Sequence, residues 1–328
     1  MKQSAFEKAH QPEWTAFTSL LEALEKPSAP SRPPPTATDS LEFAARYRCV
    51  CQQLSLAQRR GYSTRLCAAL HDLVQRGHLL LYRPAPLRWR LALDFLAREF
   101  PRLVRLQWRA MAVSSVLFFA PLIGLIVALQ YQPEWIHWFV DENSLREYEA
   151  MYDPNIDRER LGRQAGSDVK MFGYYVLNNV SIGFRCFASG LLFAVGPLLV
   201  LGFNGISIGG IAGHLTAIGH GAPFWRFVVG HSGPELIAIA IAGGAGLQLG
   251  FALIAPGQRS RLRALTEAGA LGAKLAMGVF AMLVGAAVIE AFFSSVAWIP
   301  DLIRFPFGIG LWLLILAWLG LGGRKIAA

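Results

Sequence analysis

From residue 111 onward the chain carries apolar runs long enough to cross a lipid bilayer, and this limits its fold more than any other feature. In hydrocarbon every backbone N–H and C=O must find its partner within the protein, so such runs become helices or a closed barrel. The run 111–129 approaches the ~20 residues that a helical span needs. Further runs occupy 172–202, 206–219, 234–254, 268–291 and 307–321, with Asn204 and Gly205 predicted to break the second from the third. The expected fold is therefore all-α: a polytopic helix bundle of about six membrane segments behind an N-terminal cytoplasmic helical domain.

Composition and charge agree with that division. The chain is 54% hydrophobic and 16% charged, which excludes a disordered chain, a secreted protein and a purely soluble enzyme. Residues 1–110 hold 17 Lys or Arg against 9 Asp or Glu, whereas 131–170 hold 5 against 9. Loops rich in Lys and Arg stay in the cytoplasm. Residues 206–219 are either a compact crossing helix or a re-entrant piece; if they cross, six crossings put both termini inside, the acidic 130–170 loop outside, and the loop with Arg259, Arg261 and Arg263 inside, the consistent alternation. No apolar leader opens the chain, so no cleaved signal peptide is expected. The four cysteines, three of them in the front segment, do not suggest a disulfide framework.

The first 86 residues read as a small helical domain. Phe6, Trp14, Phe17, Leu20, Leu21 and Leu24 form one helical stripe, and a proline-rich linker follows at 27–37. Asp39 and Glu42 have capping-box spacing for a helix to about Arg59, and a further helix is expected over 63–75, closed by Gly77. Residues 87–109 alternate apolar positions with Arg88, Arg90, Arg98, Arg102 and Arg105, the form of a basic amphipathic helix on an anionic membrane surface, kinked at Pro101. The membrane domain is 110–328.

Of 32 glycines, 27 follow residue 170. Small residues let membrane helices approach closely, so Gly205, Gly209 and Gly213, and Gly243, Gly246 and Gly250, are candidate packing faces, with a homo-oligomer as a further expectation. Ionisable groups at membrane depth are costly and mark function or pairing. Asn178, Asn179, Arg185, His214, His220, His231, Glu235 and Glu290 are expected to gather in the outer half of the membrane domain, with Arg185 held by Glu235 or Glu290.

His231 and Glu235 share one helical face, but a mononuclear zinc site needs a third protein ligand and the two-His protease motif is absent. A structural hydrogen-bond network is the expected reading there, with no metal, no cofactor and no catalytic residue. Cys49, Cys51, Cys67 and His71 lack paired Cys-x-x-Cys spacing. No Walker loop, dinucleotide fingerprint, nucleophile elbow or nucleic-acid module is present, so no nucleic-acid partner is expected.

The stretch from His231-Ser-Gly-Pro-Glu235-Leu through Gly243, Gly246 and Gly250 resembles the core signature of the stage II sporulation protein M family. Pro256-Gly257, Arg261, Asn178-Asn179, Asn204-Gly205 and Ile289-Glu290-Ala-Phe292 extend the likeness over most of 100–322. The resemblance implies a multi-pass protein of the bacterial inner membrane. In spore formers its members act as a platform that recruits cell-wall hydrolases. Elsewhere relatives tend to occur beside a MoxR-type ATPase and von Willebrand A or transglutaminase-like proteins. The expected function is a non-enzymatic scaffold of an envelope-associated complex, with an anionic lipid membrane and such proteins as partners. The alternatives are a permease or channel component using the outer polar cluster and, last, an intramembrane metal-dependent hydrolase built on His231 and Glu235.

Overall fold

A computed structural model describes residues 2–25, 37–81, 89–156, 159–162 and 167–324. The chain divides into two compact units, Met1–Arg88 and Trp89–Ala328. Among the described residues there are thirteen α-helices and no strand, only one isolated bridge between Arg160 and Val296.

The first unit is three helices, α1 (Gln3–Glu25), α2 (Ala37–Arg59) and α3 (Thr64–Leu81). Phe6, Trp14, Phe17 and Leu21 of the α1 stripe close on Phe43, Val50 and Leu54 of α2 and on Leu66 and Leu70 of α3. Inside this core Trp14 Nε1 donates to Gln53 Oε1 at 2.6 Å, which satisfies the one polar atom the indole buries. At the rim, Arg76 hydrogen-bonds Glu25 and holds that carboxyl below its ordinary range.

Two sequence expectations change here. Helix α3 does not stop at Gly77 but continues to Leu81, because Gly77 is a point of close approach. A Cβ there would stand 2.8 Å from the Tyr47 ring and 3.1 Å from that of Phe17. Asp39 lies within α2, which begins at Ala37, rather than ahead of it. The linker 27–36, Arg88 and Lys325 lie outside the described residues.

The second unit opens with α4 (Trp89–Asp94), a π-turn at Phe95–Glu99 and α5 (Phe100–Leu106), so 87–109 is not one continuous helix. Pro101 is the second residue of α5, where its missing N–H is tolerated in the first turn. Phe100, Leu103 and Val104 are buried in the membrane-domain core, while Arg90, Arg98 and Arg102 are exposed. Arg105 departs from the expected membrane-surface role. Its guanidinium donates to the carbonyls of Leu319 and Gly322, which end the last helix without intrahelical partners.

The bundle proper is α6 (Trp108–Tyr131), α7 (Glu142–Met151), α8 (Asp168–Ala188), α9 (Val195–Ala217), α10 (Gly221–Val228), α11 (Ser232–Ile254), α12 (Arg261–Ile289) and α13 (Asp301–Leu321). Five of these, α6, α9, α11, α13 and α12 with the π-turn Glu290–Ser294 that continues it, are long and apolar enough to cross a membrane. Helix α8 is 21 residues long but carries Asp168, Lys170, Asn178, Asn179 and Arg185.

The boundaries of the second and third segments are corrected. Asn204 does not break α9, since its side-chain amide donates to the Val200 carbonyl one turn back at 2.7 Å. The break lies earlier, in the 3₁₀ turn Ser189–Leu192 and at Phe193, whose φ of 59° reverses the chain beside the Gly250 backbone. The expected segments 172–202 and 206–219 are therefore α8 and α9.

Side-chain neighbours fix the helix directions. Gly205, Gly209 and Gly213 meet Phe118, Leu122 and Leu125 in ascending order, so α6 and α9 run parallel. Ser114 donates to the Ala240 carbonyl while Met111 meets Gly244, so α11 runs against α6. Asn179 reaches Glu290 while Phe187 meets Gly272, so α8 opposes α12. With α13 joined to the start of α11 through Trp312 Nε1 and Ser232 Oγ, and to α5 through Trp318 and Phe100, the six long helices alternate in direction.

Helix α11 lies at the centre, with 72% of its apolar stretch buried against 22% for α6 and for α13. The outer faces of those two keep Val116, Ile123, Leu313 and Leu314 exposed, an apolar surface suited to lipid. The predicted packing glycines are used within the chain. Side chains at Gly205 and Gly209 would run into the carbonyls of Phe118 and Leu122, and at Gly246 into those of Cys186 and Phe187. They therefore form no free face for a second copy.

Gly209→Leu should lower the thermal midpoint of the detergent-solubilised protein, since overpacking a close helix crossing costs about 1–3 kcal/mol. Gly202→Ala, where a Cβ meets nothing within 4 Å, should leave the midpoint unchanged or raised. Equal effects at the two positions would show that the α6–α9 crossing is looser than described.

Candidate functional site

At the end of the bundle where α11 and α13 begin and α12 finishes, three ionisable side chains come together. His231 is the N-cap residue of α11, Glu235 sits in its first turn, and Glu290 opens the π-turn Glu290–Ser294 that finishes α12. One ligand-type atom from each lies within 4.8 Å of the other two. His231 Nε2 faces Glu235 Oε2 at 3.7 Å, and His231 Nδ1 meets Ser294 Oγ at 3.0 Å. From α8, Asn179 Nδ2 donates to Glu290 Oε2 at 3.2 Å, and Asn178 Nδ2 donates to Asn179 Oδ1 at 3.2 Å.

The local sequence explains the placement. A π-turn adds a residue to the helical repeat, so Glu290 and Ser294 both face α11, and such bulges concentrate at functional sites. Gly230 lets α11 begin against them, since a Cβ there would stand 2.6 Å from Ser294 Oγ. The Phe227 ring stands edge-on to the imidazole at 5.0 Å, and Tyr152, Tyr175, Ala287 and Ala291 pack the same region. Burial pushes the Tyr152 hydroxyl above its ordinary value, so it remains neutral.

Not every predicted residue joins the cluster. His214 pairs instead with Glu149 of α7, Nε2 to Oε1 at 2.6 Å, and fastens the helix of the 130–170 segment to α9. His220 precedes α10 at its N-cap, half-buried. Arg185 pairs with neither Glu235 nor Glu290. It is exposed in the last turn of α8, donating to the Ser181 carbonyl at 3.3 Å and to Ser181 Oγ at 3.1 Å.

The reason is the shifted boundary: α8 ends at Ala188 rather than near residue 202, so Arg185 stands at a helix C-terminus where a cation is favoured. It lines a cavity of about 300 Å³ with Ile182, Leu199, Val200, Phe203 and Asn204. Among the described residues Cys49, Cys51, Cys67 and His71 form no ligand cluster.

Sequence reasoning missed Ser294, Glu149 and Arg304. Arg304, in the first turns of α13, is fully buried and bonds only backbone carbonyls: Arg226 and Ser294 from Nη1 at 2.9 and 2.8 Å, Val296 and Ile299 from Nη2. It closes the turn that follows Glu290. Placing the last span at 307 had left this arginine in a loop. The Pro300-Asp301 pair, a helix-start signal, would have moved the boundary.

The buried arginine and the exposed one should respond differently to the same change. Arg304→Leu would orphan several buried carbonyls, each costing about 1–3 kcal/mol, and should sharply lower the folded fraction seen by size-exclusion chromatography. Arg304→Lys should rescue it only in part, because one ammonium cannot reproduce the planar fork. Arg185→Leu should change stability by no more than about 0.5 kcal/mol. A large loss from Arg185→Leu would restore the pairing expected from sequence.

Residues 4–83 match a domain of unknown function, DUF8413. No curated protein and no solved structure matches the chain. The profile described as stage II sporulation protein M matches residues 113–295, from α6 to the end of the π-turn, and so takes in Asn179, His231, Glu235, Glu290 and Ser294. With more than half of its length covered, the chain belongs to the stage II sporulation protein M family of membrane proteins.

Proposed function

We propose that this protein is a non-enzymatic scaffold of an envelope-associated complex in the bacterial cytoplasmic membrane, with both termini in the cytoplasm. The observation that carries the reading is the enclosure of α11. Its Gly246 and Gly250 meet the backbone of residues 186–194, Gly243 meets Leu201 and Ser114, and Gly244 meets Met111. A permease, the alternative, needs a hydrated route beside its central helix, and backbone-to-backbone packing of this kind supports a fixed support instead.

Charge supports the orientation. Arg98, Arg102, Arg109, Arg259, Arg261 and Arg263 lie at the end where α6 and α12 begin, while Glu134, Asp141, Glu142 and Glu147 lie at the opposite end. The positive end faces the cytoplasm. The helical unit Met1–Arg88 then receives a cytoplasmic partner, such as the MoxR-type ATPase that the family resemblance suggests. The segment from Pro133 to Met151 receives an outer partner, such as a cell-wall enzyme.

In a background stripped of native cysteines, Glu147→Cys should react with an impermeant thiol reagent in intact spheroplasts, and Gln258→Cys only after lysis; the reverse would overturn the orientation. Full-length protein drawn from native membranes in mild detergent should bring a stable protein partner with it, and removal of residues 1–88 should release the cytoplasmic one. A chain that captures nothing, yet passes solute when reconstituted alone, would establish the permease reading in its place.

A further inference from the structure

Beyond the scaffold reading, we infer that His231, Glu235 and Glu290 form a binding site for one divalent transition-metal cation at the outer end of the bundle. Three protein ligands with a water in the fourth position make an open tetrahedral site, and the sequence alone offers two of the three on one helix. Glu290 supplies the third from α12, across the α11–α12 contact.

Distance permits it. Three atoms that all lie within 4.8 Å of one another leave a point no more than about 2.8 Å from each. An inward movement of roughly 0.6–0.8 Å per side chain brings them to the ~2.0–2.2 Å of metal–nitrogen and metal–oxygen bonds, well within rotamer adjustment.

The imidazole is prepared as a ligand rather than as a hydrogen-bonding group. His231 is only 4% exposed, and its Nδ1 is engaged by Ser294 Oγ while Nε2, with no hydrogen-bond partner among the described residues, points at Glu235. With Nδ1–H donating to Ser294, the Nε2 lone pair faces the carboxylates, the arrangement that orients metal-bound histidines. Glu290 is likewise steadied by Asn179 Nδ2, which as a donor leaves the other carboxylate oxygen free. Among the described residues the side chain of Glu235 has no hydrogen-bond partner, and it keeps 16% exposure, which gives an ion access and leaves room for a water ligand.

Charge gives the driving force. Two carboxylates lie side by side at a poorly solvated helix end, and the buried arginine nearby, Arg304, spends its bonds on carbonyls. A divalent cation neutralises both acids at once and turns their repulsion into attraction. One nitrogen and two carboxylate oxygens suit Zn²⁺ or Mn²⁺, whereas Ca²⁺ asks for six to eight oxygens.

The test uses the full-length chain purified in detergent without a polyhistidine tag, equilibrated with Zn²⁺ or Mn²⁺, desalted, and assayed for metal by mass spectrometry. About one ion per chain is expected, together with a raised thermal midpoint. His231→Ala and Glu290→Gln should each retain at least tenfold less metal and lose the thermal shift. Ser294→Ala should weaken affinity about 10- to 100-fold through the imidazole alone. Glu149→Gln, at the separate His214 pair, should bind as the parent does.

If the ligand variants fail to fold, X-ray absorption at the zinc edge of the parent protein decides: one nitrogen with oxygens is expected, and sulfur or several histidines would overturn the site. So would a parent that retains neither metal, or ligand variants that retain it unchanged. Partner capture is measured separately, so loss of the metal site leaves the scaffold reading standing or falling on its own.

Discussion

Everything in the membrane unit depends on how closely α11 can be approached. Lipid gives no hydrophobic reason for helices to associate, so the bundle is held by contact and by the few hydrogen bonds that contact allows. Alanine and glycine make up most of α11 from Ala238 to Gly250, and neighbouring backbones come to rest against them at Cys186 and Phe193, with the Met111 side chain on Gly244. Once the backbones touch, small groups suffice as fasteners: Ser114 on the Ala240 carbonyl, Gln248 on Gln107. Side chains large enough to interdigitate would have held the same helices further apart, and neither bond would have formed.

That closeness places the polar cluster. With α8, α11 and α12 fixed along their lengths, their ends at one face must share a small volume, and the residues there are Asn179, His231, Glu235 and Glu290. The π-turn at Glu290 makes the fit and disturbs the regular backbone ladder beyond it. Arg304 takes up Ser294 and Val296 carbonyls in that region, and the segment between α7 and α8 adds two bonds, Leu161 N–H donating to the Ser295 carbonyl at 2.8 Å and Ala297 N–H to that of Glu159 at 3.2 Å. The turn that sets the site is thus bonded from both sides, which is how an irregular backbone survives near a membrane.

The sequence carried the helical character of the membrane unit and the identity of the cluster's three ionisable members, because both are written in local terms, apolar run length and charge within such a run; of the six expected segments five are long and apolar enough to cross, and α8 is the more polar sixth. The sequence misplaced one boundary, and the error spread. In 172–202 the polar residues are too scattered to end a span, and Ser189-Gly190 and Gly196-Pro197 are weaker punctuation than Asn204-Gly205. Asn204 turned its amide on its own helix, and Gly205 served a crossing with α6. Moving the break by more than ten residues carried Arg185 from the supposed outer half to the opposite end of the bundle. Gly77 shows the same ambiguity, since a glycine that ends a helix and one that admits a neighbouring ring are identical in sequence. Ser294 could not have been found at all without the π-turn that aims it.

The two arginines show how the protein treats a charge it cannot leave in lipid, and the acids show what remains when neither treatment applies. Arg185 stands at a helix end with its head exposed. Arg304 is enclosed but surrounded by carbonyl oxygens, which share its charge without needing an anion. A carboxylate has no such second route through carbonyls, since it needs donors. Among the described residues Glu290 receives one side-chain N–H, from Asn179, and the side chain of Glu235 receives none. Two acids and one imidazole share this small volume, and among the described residues the acids receive a single side-chain N–H, so donors fall short of acceptors here. That imbalance, rather than any catalytic motif, is why function in the membrane domain should be sought at this end.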